Sequence, residues 1–459
     1  MSISLLQPDH LKSVLEPLRS RRMVVAFSGG MDSAVLLDLM VRLRREGYIG
    51  VLHALHIDHQ LSPSSGQWEL HCRALCERLE VPYESFRVSI GAAETNIEEL
   101  ARQARYDVME RLCKAGDCFL FAHHQRDQAE TLLYRLIRGS GSRGMGAMPR
   151  QRPLGGGQLL RPLLDVSHDQ LSQYAESRGL DWVEDDNNQL LRFDRNFFRH
   201  QVLPLLKGRW PEISARLARQ AGRLAEDSAL LDELAAIDLA QCYVAKGEES
   251  PWLAGHPLLC WSTVAALSAR RQRNLLRFWL RQAGVAVPGE AVCEQLRLLA
   301  NSREDANPSV QWQEWEVRRY RGQLVLRKRL EMPKATQCFA LEGQQSFALE
   351  GNGVLKAVID SSGGSRLQAD IGSLQLKYRA DLEPSLRIRL CGREGSKSYK
   401  KLMQERGIPP WLRDRWPLLV RGKELVAIPS IGVLQGFSAP PDAEGLNLTW
   451  QPPKWDATD

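Results

Sequence analysis

Between Met23 and Arg138 four short apolar runs alternate with four stretches of helical period, and no other feature restricts the fold of this chain as strongly. Met23–Phe27, Val51–Ile57, Tyr83–Val88 and Cys118–Ala122 read as buried strands. Ser33–Arg45, Gly66–Leu79, Ile97–Lys114 and Asp127–Arg138 read as the helices that follow them. Strands separated by helices of this length build βαβ units, so the expected fold is α/β, a doubly wound parallel sheet. Ligands bind such sheets at the carboxyl ends of the strands, and those ends are where the distinctive residues fall.

The first strand runs directly into Ser28-Gly29-Gly30-Met31-Asp32-Ser33, and a helix follows at once. Two glycines let the backbone take positive φ and approach a ligand closely. The amides of the turn and the positive end of the next helix converge where a phosphate or pyrophosphate sits. Asp32 beside phosphates makes chemical sense as a holder of Mg²⁺. A Walker-type loop is absent, because no G-x-x-x-x-G-K-[ST] occurs. A G-x-G-x-x-G match at Gly139, Gly141 and Gly144 follows a helix rather than a strand, which is the wrong context for a dinucleotide fingerprint.

Beyond this region the glycine- and proline-rich stretch Gly139–Gln158 reads as a lid or binding loop, and Ser167–Arg178 as one more helix. Residues 211–301 show helical periods rich in Ala, Leu and Arg. Val310–Leu326 reads as two strands with a turn at Arg321-Gly322, and 386–436 as a compact unit of strand, helix and strand. The proline-rich tail from Ser438 reads as loose. We therefore expect three domains: an α/β domain at 1–210, a mainly helical one at 211–330 and a small α+β one at 331–459.

The composition, 43% hydrophobic and 25% charged with a net charge of +6, is that of a globular protein compatible with a polyanionic partner. Nine scattered cysteines without a Cys-x-x-Cys pair fit a reducing, cytoplasmic compartment. No signal peptide opens the sequence and no apolar run is long enough to span a membrane, so no membrane partner is expected.

Ser-Gly-Gly-Met-Asp-Ser after an apolar strand resembles the PP-loop of the ATP pyrophosphatases, a Rossmann-like superfamily. Further segments resemble the tRNA(Ile)-lysidine synthases within it. His123-His124-Gln125-Arg126-Asp127-Gln128-Ala129-Glu130-Thr131 resembles H-H-x-D-D-Q-x-E-T, with Arg126 where that pattern has an acid. Asn96-Ile97-Glu98 through Ala101-Arg102 to Arg105-Tyr106 resembles N-x-E-x-x-A-R-x-x-R-Y, with Asn96 as a helix cap and Glu98 paired to Arg102. Arg138-Gly139-Ser140-Gly141, Met148 and Arg161-Pro162-Leu163-Leu164 resemble R-G-x-G…M…R-P-L-L. Asp185-Asp186-Asn187-Asn188 with Arg192, Arg195, Asn196 and Arg199 resembles the acid–amide run and arginines that follow. Arg270–Arg277 and the segments Gly392–Leu402 and Gly407–Asp414 resemble the later domains of the long members.

The resemblance implies a ligase. ATP, lysine and the wobble cytidine of tRNA(Ile) with a CAU anticodon would give lysidine, AMP and pyrophosphate through an adenylated cytidine, shifting codon reading from AUG to AUA. It implies ATP held by Ser28, Gly29, Gly30, Met31, Asp32 and Ser33, with His56 and Asp58 beside the adenosine. Asp32 and Asp127 would hold Mg²⁺. His123 with Arg102 or Arg105 would stabilise charge at the α-phosphate and the C2 oxygen. Asp127 and Glu130 would bind the ammonium group of L-lysine or take its proton. Arg195, Arg199, Arg271, Arg273, Arg393, Lys397, Lys400 and Lys401 would contact tRNA phosphates, the last four on a turn beside Tyr399. The resemblance admits a homodimer. The alternative is a tRNA thiolase of the same superfamily, but such enzymes need a catalytic cysteine pair or a Cys-x-x-Cys, and neither is visible.

Overall fold

The computed structural model describes residues 5–60, 65–89, 97–184, 190–191, 194–244, 251–299, 308–333, 338–341, 343–361, 365–440 and 442–453. The chain divides into two compact units, Met1–Leu230 and Leu231–Asp459.

The first unit is the expected parallel sheet. Its strands β1 (Met23–Ala26), β2 (Leu52–Asp58), β3 (Tyr83–Arg87), β4 (Cys118–Leu120), β5 (Gln151–Leu154) and β6 (Gly157–Leu160) lie in the order β3-β2-β1-β4-β6-β5. β1 pairs in parallel with β2 on one side and β4 on the other, and only β5 runs antiparallel. The order reverses between β1 and β4, so their carboxyl ends flank the crevice where an open α/β sheet takes a ligand.

Two-residue periodicity explains why helices cover both faces. Met23 and Val25 point into one core with Leu36, Leu39, Met40 and Tyr174, while Val24 points into another with Tyr106, Met109 and Phe119. In chain order the helices are α1 (Asp9–Leu15), α2 (Met31–Arg45), α3 (Ser65–Arg78), α4 (Ile97–Leu112), α5 (Gln125–Ile137), α6 (Ser142–Met145), α7 (His168–Arg178), α8 (Asp194–Phe197), α9 (Leu203–Arg209) and α10 (Ile213–Cys242). α2, α3 and α7 supply the first core and α4 the second. Burial of each large aliphatic side chain contributes about 1.5–3 kcal/mol, so this double core sets the strand register.

The stretch expected as a lid differs from that reading. It holds the one-turn α6 and the β5–β6 hairpin. Gln128 ties it down by donating to Met148 O and accepting from Met148 N, both at 2.8 Å. Arg135 donates to the carbonyls of Gly144 and Ala147. The glycines answer a packing demand: a Cβ on Gly157 would lie 2.3 Å from Asp117 O, and one on Gly146 would lie 3.1 Å from Ala225.

In the second unit α11 (Trp261–Ala266), α12 (Ala269–Gln282) and α13 (Glu290–Leu298) pack on an antiparallel sheet of β7 (Leu258–Cys260), β8 (Ser309–Trp312), β9 (Trp315–Tyr320) and β10 (Gln323–Lys328). The expected pair of strands is thus three plus a fourth from β7. The remainder forms a five-stranded, a four-stranded and a two-stranded sheet, with Trp416 fully buried in their core. The tail corrects the sequence reading. Gly445–Gln451 is a strand paired to Val354–Asp360, with Leu446, Leu448 and Trp450 buried. Its period-2 pattern Leu-Asn-Leu-Thr-Trp carries that signal, which the flanking prolines masked.

Candidate active site

The turn after β1 takes the shape its residues require. Gly29 has φ +86, and a Cβ there would meet Cys72 Sγ at 2.8 Å and Val183 Cγ2 at 3.0 Å. Gly30 caps α2 in extended conformation without a side-chain hydrogen bond to the helix amides. The first amides of α2 are therefore left for an incoming acceptor. Ser33 Oγ donates to Gly30 O at 2.8 Å and lies 3.1 Å from Ser28 Oγ, so the hydroxyls brace the turn from within. Met31 opens the helix.

Asp32 stands in the first turn of α2. Its Oδ2 lies 3.4 Å from His124 Nε2, and its Oδ1 is buried without a hydrogen-bond partner. His124 is the residue that sequence reasoning passed over. It is fully buried and caps α5: its Nδ1 accepts from Arg126 N, and its own N–H donates to Asp127 Oδ2 at 2.9 Å. With Nδ1 accepting, the ring proton sits on Nε2, facing Asp32. Burial opposes charge on this ring, but Asp127 and Asp32 outweigh it and hold its pKa above the ordinary value. The doubled histidine at a strand end is the signal that could have found it.

Asp127 and Glu130 are almost fully buried, and α8 with the π-helical turn Phe198–Val202 lays two arginines on them. Arg195 Nε donates to Glu130 Oε2 at 3.0 Å, and its Nη2 to Asp127 Oδ1. Arg199 Nε donates to Glu130 Oε1 at 2.8 Å, and its Nη2 to Asp127 Oδ1 at 3.2 Å and Glu130 Oε2 at 3.1 Å. Arg126 Nε stands 3.8 Å from Glu130 Oε1. Burial would raise the Asp127 pKa, but His124, Arg195, His123 and Arg199 hold it well below the usual carboxylate range. Burial works against the charge on Arg195, yet Asp127 and Glu130 raise its pKa.

These contacts differ from two expectations. Arg195 and Arg199 do share a face, but that face meets buried acids instead of lying open to RNA phosphates. Both Asp127 oxygens already accept hydrogen bonds, whereas Asp32 keeps one buried oxygen without a partner. Of the two carboxylates expected to hold a metal, Asp32 is the one with an oxygen free of hydrogen bonds.

His123 stacks on Phe121 at 5.6 Å between centroids, and its Nδ1 accepts from Arg161 Nε at 3.1 Å. Burial, with Arg195, Arg161 and Arg105 adding to it, pushes the ring down to about 3, so it is neutral at pH 7. The arginines of α4 part company. Arg105 is half-buried, 3.4 Å from His59 Nε2, with its pKa lowered by burial. Arg102 is exposed and ion-paired with Glu99 at 2.5 Å. Asn96 and the side chain of Glu98 lie outside the described residues, as do Asp185–Asn188 and Arg192. At the end of β2, His56 Nδ1 bonds to Phe27 O at 2.9 Å and Asp58 accepts from Gln60 N at 2.7 Å.

In the second unit Arg271 forms a bidentate pair with fully buried Asp238, and Arg273 lies 3.6 Å from Glu294. Arg271 is therefore an internal tie of the helical layer. Arg393, Lys400 and Lys401 are exposed, and Lys397 pairs with Glu405 at 2.5 Å. Tyr399 is no aromatic platform: its ring is buried and its hydroxyl donates to Arg413 O.

Comparisons with known proteins agree with this architecture. The chain matches the family descriptions PP-loop domain over residues 6–206, TilS substrate binding domain over 259–325 and TilS substrate C-terminal domain over 374–450. It is 40% identical over 453 residues to a tRNA(Ile)-lysidine synthase of Coxiella burnetii, covering 97% of each chain. It is 40% identical over 433 residues to one of Pseudomonas aeruginosa, covering 94% of each. Among solved structures, the U34-tRNA thiolase NcsA from Methanococcus maripaludis is similar over 48% of this chain and 78% of that one, with 16% identity and a TM-score of 0.39, too low to carry an argument. With near-complete coverage at this identity, and a glycine turn at the switch point of its sheet, the chain belongs to the tRNA(Ile)-lysidine synthases, ligases built on an ATP-using PP-loop domain.

Proposed function

We propose that this chain joins L-lysine to C2 of the wobble cytidine of tRNA(Ile) with a CAU anticodon, consuming ATP and releasing AMP and pyrophosphate. The observation that carries the reading is the Asp32 carboxylate at the mouth of the Ser28–Ser33 turn, braced by His124 and with one oxygen uncommitted. The C2 oxygen of cytosine is a poor leaving group. Transfer of AMP onto it breaks the α–β phosphate bond of ATP, forms an O–P bond and releases pyrophosphate. The lysine amine then forms the C2–N bond, and AMP departs with the oxygen.

The turn amides and the start of α2 receive the pyrophosphate. Asp32 would hold Mg²⁺, which would supply neutralisation of the phosphate charge. His56 and Asp58, at the end of the neighbouring strand, border the adenosine. Neutral His123 with Arg161, and Arg105 rather than exposed Arg102, face the charge that develops at the α-phosphate. Asp127, Glu130, Arg195 and Arg199 form a balanced cluster suited to a zwitterion: carboxylates for the ammonium group, guanidiniums for the carboxylate of lysine. The incoming amine must lose a proton before attack, and a carboxylate of this cluster is the acceptor. Residues 1–210 carry the chemistry. The domains at 211–330 and 331–459 hold the tRNA, with exposed Arg393, Lys400 and Lys401 as phosphate contacts. The enzyme works in the cytoplasm.

Asp32→Asn tests this reading. The variant should lose tRNA-dependent pyrophosphate release by at least about a hundredfold while its affinity for tRNA(Ile) stays within about twofold. Full release by the variant would remove Asp32 from the chemistry and the proposal with it.

A further inference from the structure

A cavity of about 490 Å³ opens in the second unit, lined by Trp252, Tyr320, Arg321, Gln323, Arg406 and Ser430 among others, with no carboxylate in its wall. Its construction is specific. Arg321 (φ +48) and Ser430 (φ +62) are two of six non-glycine residues with positive φ among the described residues, and both line this one cavity. Arg321 with Gly322 (φ +72) forms the two-residue turn that the tight β9–β10 hairpin requires, which fixes where the Arg321 side chain leaves the backbone.

Each of these two residues is fixed by what it touches. Arg321 forms the tip of the β9–β10 hairpin, and its guanidinium lies 3.0 Å from where a Cβ of Gly407 would stand. Gly407 has φ +67, and its carbonyl accepts from Tyr320 Oη at 2.8 Å. Ser430 is pinned to the C-terminal strand: its N donates to Leu448 O, and its Oγ accepts from Trp450 N, both at 2.8 Å. Arg406 Nη2 donates to Ile431 O at 3.2 Å. Trp252 is held edge-to-face on Trp416, with centroids 4.8 Å apart. Among the described residues neither Arg321 nor Arg406 has a carboxylate within 4 Å, and only Glu405 acts on Arg406 from farther off, so two guanidiniums without an ion-pair partner stand on the wall.

A site with two guanidiniums, indole and phenol rings, an amide and a hydroxyl fits one ligand chemistry: an aromatic base carrying a phosphate. The volume lies in the range that holds a ligand of nucleotide size. Free nucleotides and RNA both supply that chemistry. Arg406 caps the C-terminus of the helix Tyr399–Glu405, which carries exposed Lys400 and Lys401 and whose Glu405 is paired with Lys397, so positive surface continues past Arg406 along that helix. A mononucleotide gains nothing from that extension, whereas a phosphodiester chain does.

We propose that this cavity takes one unpaired, unstacked nucleotide of the tRNA substrate, its phosphate on Arg321 and Arg406 and its base against Trp252. The proposal rests on the tRNA reading above and adds to it a specific pocket outside the PP-loop domain. Photocrosslinking of the full chain to a tRNA(Ile) transcript containing 4-thiouridine, with peptide mapping, should place a crosslink within 251–253 or 320–323. Arg321→Gln and Arg406→Gln should each weaken transcript binding about tenfold and raise KM for tRNA without lowering kcat, and Arg321→Lys should recover part of the loss. Unaltered binding and KM in both variants would overturn the pocket while leaving the enzyme a tRNA ligase. Submillimolar AMP or CMP binding that both variants abolish with tRNA affinity intact would assign the site to free nucleotides and overturn it too. Failure of the tRNA reading is a separate result, in which the unaltered protein neither binds nor modifies the transcript.

Discussion

Single side chains decide how acid affects this protein. His123 is pushed down to about 3, and His59 and His168 to about 4, chiefly by burial. Their unfolded counterparts take up protons near pH 6.5. Stability from these groups is therefore complete above about pH 6.5 and is lost as pH falls toward the folded values, at about 1.4 kcal/mol per pH unit for each proton. His124 has the opposite sign, its raised pKa favouring the fold at lower pH, so it offsets part of the loss. His123→Asn should shrink the drop in melting temperature between pH 7 and pH 5, measured by differential scanning calorimetry on the full chain. An unchanged drop would mean that His123 takes up its proton without resistance. At this scale the sequence was legible where a residue type carries its own geometry. Gly29, with its positive φ and its contact with Cys72, follows from the Gly-Gly turn. The role of His124 depends on which ring nitrogen caps α5, and no spacing rule encodes a tautomer.

At the scale of elements, the short α8 and its π-helical extension matter most, because they bring Arg195 and Arg199 onto Asp127 and Glu130. Arg199, only 18% exposed, contacts both acids. A lysine there is a point charge that cannot reproduce the fork. Arg199→Lys should raise KM for lysine about tenfold or more with KM for ATP within about twofold, read by steady-state kinetics with labelled lysine. Equal increases for both substrates would place the cluster elsewhere in the reaction. The central strands β1 and β4 of the first sheet could be read because both their faces are buried and each is a continuous apolar run, and the helices between strands could be read from their period. The β5–β6 hairpin could not, since its glycines serve close backbone packing at Asp117 and Glu110 and imitate the composition of a mobile loop. The C-terminal strand was hidden by flanking prolines. Its Leu446, Leu448 and Trp450 each contribute about 1.5–3 kcal/mol by burial. A chain ending at residue 444 should lose its C-terminal sheet, seen as loss of hydrogen-exchange protection in 354–360. Protection equal to that of the full chain would refute that role.

For the whole molecule, the division of labour follows from where charge is neutralised. In the first unit Arg195 and Arg199, expected to reach for RNA, pair with the buried acids Asp127 and Glu130. In the second, Arg271 is likewise paired with a buried acid, Asp238, whereas Arg393, Lys400 and Lys401 of the turn are exposed and Arg321 and Arg406 line the cavity. Sequence patterns located Arg195, Arg199, Arg271 and the basic turn, though not the cavity wall, and could not tell a paired arginine from a free one, because pairing depends on contacts such as those between Arg195 or Arg199 and acids 65 to 72 positions away.

The account is tested most directly by incubating the purified chain with tRNA(Ile) transcript, ATP and labelled lysine, and following both label and nucleotide. It predicts one lysine fixed per tRNA at the wobble cytidine, with one AMP and one pyrophosphate per lysine and nothing when any substrate is left out. ATP cleaved to ADP and phosphate, or an RNA that stays unlabelled while the protein binds it, would contradict the account.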